Sequence, residues 1–245
     1  MPTNYDPIAD LYRLAKQQPW RRYVEAFTFL GLIGDVSDKS VLDVACGEGF
    51  YTRMLRQHGA ARVVGVDLSK GMVDLARKQE AEHLLGIVYQ VGDARNLAFA
   101  AEFDLVIAAY LLNYARDRAE MRAMCEGLAR CLKPGGRFVT VNCNPAMHFP
   151  TVPSYRKYGF EASTPGEWRE GAPIRWRFFL QDGEFEIENY FLEVAAHEEA
   201  LRAAGFRDIR WHGPKLAPEG EAELGSEFWS LLLTQCPVTF LECVR

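Results

Sequence analysis

The segment Val41-Leu-Asp-Val-Ala-Cys-Gly-Glu-Gly-Phe50 constrains the fold of this chain more than any other. Val41, Leu42 and Val44 form a short apolar run with β-branched residues, suited to a strand covered on both faces. Gly47 and Gly49 then allow a sharp turn and a close approach of backbone to ligand, and a helical pattern opens at Phe50. Such a turn aims helix-start amides and a positive dipole end into a cleft, which favours an anionic or hydroxyl-rich ligand.

The pattern repeats downstream. A helix over residues 50–58, a strand over 62–66, a helix from the N-cap Ser69 to about His83, a strand over 87–91 and a strand over 103–110 follow in turn. A further helix opens at Asp117, with Glu120 completing a capping-box-like start, and ends at Lys133-Pro-Gly-Gly136 before a strand over 137–142. Strands alternating with helices at this spacing imply a mostly parallel sheet that binds ligands at the carboxyl ends of its strands. Residues 4–34 read as two helices broken by Pro19. Residues 144–173 lose regularity, and residues 174–181 and 184–191 form an expected hairpin joined at Asp182-Gly183. Residues 192–204 read as a helix closed by Gly205, 206–211 as a strand, 213–226 as a polar loop, 228–235 as helix or strand and 238–244 as a final strand. One domain over 1–245 is expected, with a helical lid (1–34), a core (40–145), an insertion (146–191) and a C-terminal part of the sheet (192–245).

Asp67 ends the second strand, 20 residues after Gly47, where an acidic side chain can accept hydrogen bonds from both ribose hydroxyls of a nucleoside. A dinucleotide fingerprint would place a third glycine where Thr52 stands. Asp43 and Glu48 also put negative charge around the turn, which disfavours phosphate and suits a ligand carrying an ammonium group. A cationic adenosyl compound fits better than a pyrophosphate. The formal charge of -5 gives no basic footprint for nucleic acid. The longest apolar run is far short of a membrane span, and the first ten residues lack the pattern of a secretory signal, so a cytoplasmic location is expected. The six cysteines include no Cys-x-x-Cys pair and indicate neither a metal site nor a disulfide framework.

Four stretches together resemble the class I S-adenosylmethionine-dependent methyltransferases: Leu42-Asp-Val-Ala-Cys-Gly-Glu-Gly-Phe50, Gly65-Val-Asp-Leu-Ser-Lys-Gly-Met72, Gly92-Asp-Ala94 and Leu132-Lys-Pro-Gly-Gly136. The resemblance is close over residues 40–145. It implies an α/β, Rossmann-like fold whose seven strands run in the order 3-2-1-4-5-7-6, the last antiparallel. It also implies S-adenosylmethionine as cofactor, with S-adenosylhomocysteine as product. Asp43, Ala45, Cys46, Gly47 and Gly49 would then line the methionine part, Asp67 and Leu68 the ribose, and Met72, Gly92, Asp93 and Ala94 the adenine. Ala109, Tyr110 and Tyr114 would lie near the sulfonium, and the N-terminal helices would close over it through Tyr12, Trp20 and Arg21. Tyr5-Asp-Pro-Ile-Ala-Asp-Leu-Tyr-Arg13, Pro19-Trp-Arg-Arg22 and the hairpin insertion resemble more narrowly the N-methyltransferases of bacterial toxoflavin biosynthesis, which implies a flat pyrimidotriazine acceptor.

The acceptor is expected between the N-terminal helices, the loop Tyr110–Tyr114 and the insertion. Tyr5, Tyr155, Trp168, Trp176 and Phe178 are candidates to stack on a flat ring. His148, just after the fifth strand, is the histidine best placed to act as base, and Tyr110 is a second catalytic candidate. The open alternatives are transfer to an oxygen or carbon of another small molecule, a non-catalytic adenosyl-ligand sensor, and a nicotinamide oxidoreductase.

Overall fold

The computed structural model describes residues 9–181 and 183–245, with side chains from residue 11 onward. Tyr5 and Asp182 lie outside the described residues. A seven-stranded sheet organises the chain: β1 (Ser40–Val44), β2 (Arg62–Asp67), β3 (Val88–Val91), β4 (Phe103–Ala109), β5 (Leu132–Cys143), β9 (Arg207–His212) and β10 (Val238–Val244). Its order is β3-β2-β1-β4-β5-β10-β9, with β10 antiparallel to both neighbours. Counted within this sheet alone, that is the expected 3-2-1-4-5-7-6.

Two-sided burial explains the apolar runs. Along β1, Val41 faces a core shared with the N-terminal helices and the insertion, while Leu42 and Val44 face a second core built on α5 (Arg118–Cys131) and α6 (Val194–Ala203). Helix starts follow their capping residues. Ser69 accepts from the Met72 amide at 3.1 Å at the start of α4 (Lys70–Glu82), and Asp117 accepts from the Glu120 amide at 2.8 Å at the start of α5. Among the described residues no helix is long and apolar enough to cross a membrane.

The chain departs from the sequence expectations in three places. The break among the N-terminal helices falls after α1 (Ala9–Ala15), and Pro19 starts the next helical segment, as proline's fixed φ allows at a first position. That segment passes through a π-helical turn (Arg21–Ala26) into α2 (Phe27–Ile33). The insertion is a three-stranded antiparallel sheet, because β6 (Phe160–Ser163) joins β7 (Pro173–Leu180) and β8 (Gly183–Tyr190). The polar stretch after β9 contains α7 (Pro218–Leu224), supported by Pro218 at its start and Glu219 and Glu221 in its first turn. Residues 226–234 form the helix α8 (Ser226–Thr234).

Candidate active site

The carboxyl ends of β1, β2 and β4 open into a cleft of about 570 Å³. The turn after β1 forms its floor. Ala45 (φ 61°), Gly47 (φ 56°) and Gly49 (φ 86°) all sit in the left-handed region, which swings the chain into α3 (Phe50–Gln57). Gly49 is also required for space: a Cβ there would stand 2.4 Å from the Tyr89 hydroxyl oxygen.

Two acids brace this turn. Asp67 accepts from the Gly47 amide through Oδ2 and from the Ser69 amide through Oδ1, each at 2.8 Å, so it ties the turn to the start of α4. Thr52 accounts for the missing third glycine, because its hydroxyl donates to Asp43 Oδ2 at 2.6 Å inside α3. Asp43 Oδ1 is buried with no hydrogen-bond partner, and Asp43 lines the cleft. Burial, reinforced by the neighbouring Asp67 charge and only partly offset by Thr52, raises its carboxyl to about 7. Glu48 is different. Its carboxylate pairs with Arg53 at 2.6 Å and accepts from Gln79 at 2.7 Å, so its charge is already matched.

Most of the expected cofactor residues line the cleft. Asp43, Ala45, Cys46 and Gly47 contribute from the first turn. Asp67, Leu68 and Met72 follow around the end of β2, and Gly92, Asp93 and Ala94 around the end of β3. Tyr12, Ala109, Tyr110 and Tyr114 line the opposite end. Both Asp93 oxygens are engaged by the Arg95 guanidinium, which holds its carboxyl below the usual range. Gly49 stands behind the lining, between Glu48 and Phe50.

Trp20 and Arg21 are not among the lining residues. Trp20 is buried against Phe160 with ring centroids 4.8 Å apart, and its indole donates to Gln18 at 3.0 Å. Arg21 is buried and paired with Glu25 on the π-helical turn. Lys16, one turn after Tyr12 on the N-terminal segment, does line the cleft, as do Lys70, Arg95 and Arg116 from other elements. The Lys16 ammonium lies 3.6 Å from Glu25 Oε1 and within 5.3–5.5 Å of the ring centres of Tyr12, Tyr51 and Tyr110.

Glu25 therefore collects two cations and two hydroxyls, since Tyr51 donates to it at 2.8 Å and Tyr110 donates as well. Burial would raise this carboxyl, but Arg21, Lys16 and the two tyrosines more than offset that and hold it low. Burial and the Glu25 charge push the Tyr110 hydroxyl well up, so Tyr110 is a donor here and not a proton acceptor. Two cations against one carboxylate leave this buried cluster one positive charge in excess. Sequence reading missed Lys16 and Glu25; the i,i+4 spacing of Arg21 and Glu25 was the available signal.

The candidates on the acceptor side lie elsewhere. His148 is exposed outside the lining, its Nδ1 3.1 Å from the Thr151 hydroxyl. Tyr155 is buried, donates to the Gln235 carbonyl at 2.6 Å and stacks on Phe160. Trp168 stacks on Phe191 with ring centroids 4.1 Å apart. Trp176 and Phe178 are buried in the face of β7 that packs on Phe149, Phe160 and Phe185. The period-two alternation of β7 turned these rings inward, onto the insertion's own core.

A doubly wound sheet with an acidic residue at the end of its second strand and a glycine turn without a pyrophosphate fingerprint defines a nucleoside-binding protein of the Rossmann-like class. Comparison with known proteins makes this specific. Residues 41–136 match the family described as "Methyltransferase domain". Over 212 residues the chain is 35% identical to the ubiquinone/menaquinone biosynthesis C-methyltransferase UbiE of Desulfotalea psychrophila, spanning 84% of this chain and 79% of that protein. It is 26% identical over 194 residues to the N-demethylindolmycin N-methyltransferase of Streptomyces griseus, spanning 76% of this chain and 78% of that protein. An S-adenosylmethionine-dependent methyltransferase from Clostridium acetobutylicum shares the fold with a TM-score of 0.70 at 17% identity, over 99% of both chains. The chain belongs to the class I S-adenosylmethionine-dependent methyltransferases, and S-adenosylmethionine is its cofactor.

Proposed function

We propose that this methyltransferase transfers its methyl group to a ring nitrogen of a small aromatic heterocycle, of the pyrimidotriazine kind found in toxoflavin precursors. The observation that carries the reading is the chemistry of the cleft around Tyr110. Among the described lining residues there, Tyr12, Tyr110 and Tyr114 supply rings, Ala109 and Leu111 supply apolar surface, and Lys16 is a cation. Neither the Tyr110 hydroxyl, with its raised pKa, nor Glu25, held by Arg21 and Lys16, suits the role of strong base. A ring nitrogen attacks through a lone pair and sheds an acidic proton to water, whereas a phenol or a ring carbon gains more from a dedicated base. The likeness to an N-methyltransferase for indolmycin supports the same reading.

The residues present fit the cofactor. Asp43, with an unpartnered buried oxygen on the cleft, would take the ammonium of its methionine part, and the excess positive charge at Lys16 would take the carboxylate. Asp67 would hold the ribose hydroxyls, while Met72, Asp93 and Ala94 would bound the adenine. The bound cofactor supplies an electrophilic methyl on a sulfonium. The chain's part is to hold the acceptor nitrogen in line and exclude water, which in favourable cases is worth about 7–11 kcal/mol.

A second reading, transfer to carbon, is supported by the likeness to UbiE. Incubation with methyl-labelled cofactor and two panels, azaheterocycles and hydroquinones, separates the two. The proposal expects labelled product from the first panel; label in the hydroquinones alone overturns it.

A further inference from the structure

Two buried asparagines have no role in the account above. Asn113 sits in the 3-10 turn Leu112–Tyr114 directly after β4 and is 3% exposed, yet neither atom of its side-chain amide has a hydrogen-bond partner. Asn189 in β8 is 2% exposed; its Oδ1 accepts from the Cys143 thiol at 3.3 Å, and its Nδ2 has no partner. Unsatisfied amides at this depth cost more than an ordinary hydrogen bond contributes, so they mark a place built for something other than stability.

Both asparagines lie at one junction. The turn carrying Asn113 packs on β5 and β8. The Leu112 amide donates to Asn142 Oδ1 at 3.1 Å, and the next residue of β5, Cys143, meets Asn189. Trp176 stands beside the Cys143 thiol. The Arg21 guanidinium lies 5.6 Å from the Phe178 ring centre and 5.1 Å from that of Tyr110, and its Nε is a third buried group without a partner. Tyr110 is the wall shared with the cleft, held at φ 66° by the end of β4, a conformation costly for a tyrosine and typical of functional sites.

We propose that Asn113 and Asn189 read the acceptor: its subsite runs from Tyr110 into this junction, and the two amides bind a planar heterocycle through a lactam edge, a ring carbonyl beside a ring N–H. An asparagine presents one donor and one acceptor in a plane, the complement of that edge, and the free Nδ2 of Asn189 matches a second carbonyl. Tyr110, on the cleft wall, supplies an aromatic face for the ring. A site that reads polar groups in this way rejects analogues lacking them far more strongly than an apolar slot does, because its own groups are then left unpaired. The inference rests on the heterocycle reading above and narrows it to lactam-bearing rings.

Two measurements test it. Without any acceptor, Asn113→Leu should leave the melting temperature of the protein unchanged or raised, since it removes an unpaired amide; a clear fall would mean that Asn113 supports the fold, and would overturn the inference. With S-adenosylhomocysteine present, calorimetric titration should show lumazine, a pteridine with lactam edges, binding at least about tenfold tighter than quinoxaline, which has none. That preference should collapse in Asn113→Leu and in Asn189→Leu while S-adenosylhomocysteine affinity is retained. Equal binding of the two probes, or a preference that survives both substitutions, would overturn the inference. If quinoxaline-like rings are still methylated on nitrogen, the reading of the reaction stands without it; if lumazine binds through the amides but only hydroquinones are methylated, the reading of the reaction falls instead.

Discussion

The cofactor cleft and the insertion use aromatic and polar residues in opposite ways. Around the cleft, acids and backbone amides are held at the surface of a cavity: Asp67 is braced by two amides, and Asp43 presents an unpartnered oxygen. In the insertion the rings of Tyr155, Trp176 and Phe178 pack on Phe160, and the described polar groups left without partners are the Trp176 indole nitrogen and the Asn189 amide nitrogen. A supply of aromatic residues is therefore a poor guide to where a flat ligand sits, because rings are also what a small three-stranded sheet needs for a core. Unpaired polar groups are the better guide.

The largest expected effect contrasts the two regions directly. Trp176→Ala should cost about 3–5 kcal/mol of stability in denaturant unfolding while cofactor-product affinity changes little, because Trp176 is insertion core. Asp67→Ala should do the reverse, weakening S-adenosylhomocysteine at least about tenfold by calorimetry, since each charge-assisted bond is worth roughly 1.5–3 kcal/mol. Its stability loss should be smaller than that of Trp176→Ala. Should Trp176→Ala abolish cofactor binding in folded protein, the contrast is broken.

The pH dependence of Asp43 sharpens the cofactor side. Its carboxyl, raised to about 7 by burial, binds a proton more tightly in the folded chain than in the unfolded one, where the value is about 3.9. Its contribution to stability is thus full below about pH 4 and is lost as pH rises through 7. A cationic ligand group at Oδ1 favours the ionised form, so cofactor affinity should climb by up to about tenfold per pH unit approaching 7, with proton release on binding below it. Calorimetry in two buffers of different ionisation heat measures that release, and Asp43→Asn should remove it. The smallest effect is expected at His148. His148→Ala should leave turnover within about twofold, as an exposed residue outside the cleft lining; a loss of several hundredfold would restore it as a base.

The cofactor half was legible because its signals are local. Gly47, Thr52 and Asp67 fall within one βαβ unit, and strand, turn and cap patterns identify them without knowledge of distant partners. The junction proposed to read the acceptor was not, because Arg21, Tyr110, Cys143 and Asn189 are brought together there only by long-range packing. Period-two spacing in β7 showed that one face of Trp176 and Phe178 would be buried, but not what would cover it. Arg21 illustrates the same limit. Beside an aromatic on a helix it reads as a solvated or ligand-binding cation, whereas the π-helical turn buries it and Glu25 meets it inside, and from the N-terminal segment it is Lys16 that lines the cleft.

The most direct test of the account is the position of a transferred methyl group. With isotope-labelled S-adenosylmethionine and a lactam-bearing azaheterocycle, nuclear magnetic resonance of the product should show the labelled methyl bonded to ring nitrogen. A labelled methyl on carbon or oxygen, or cofactor that binds and is never consumed with any such ring, would contradict it.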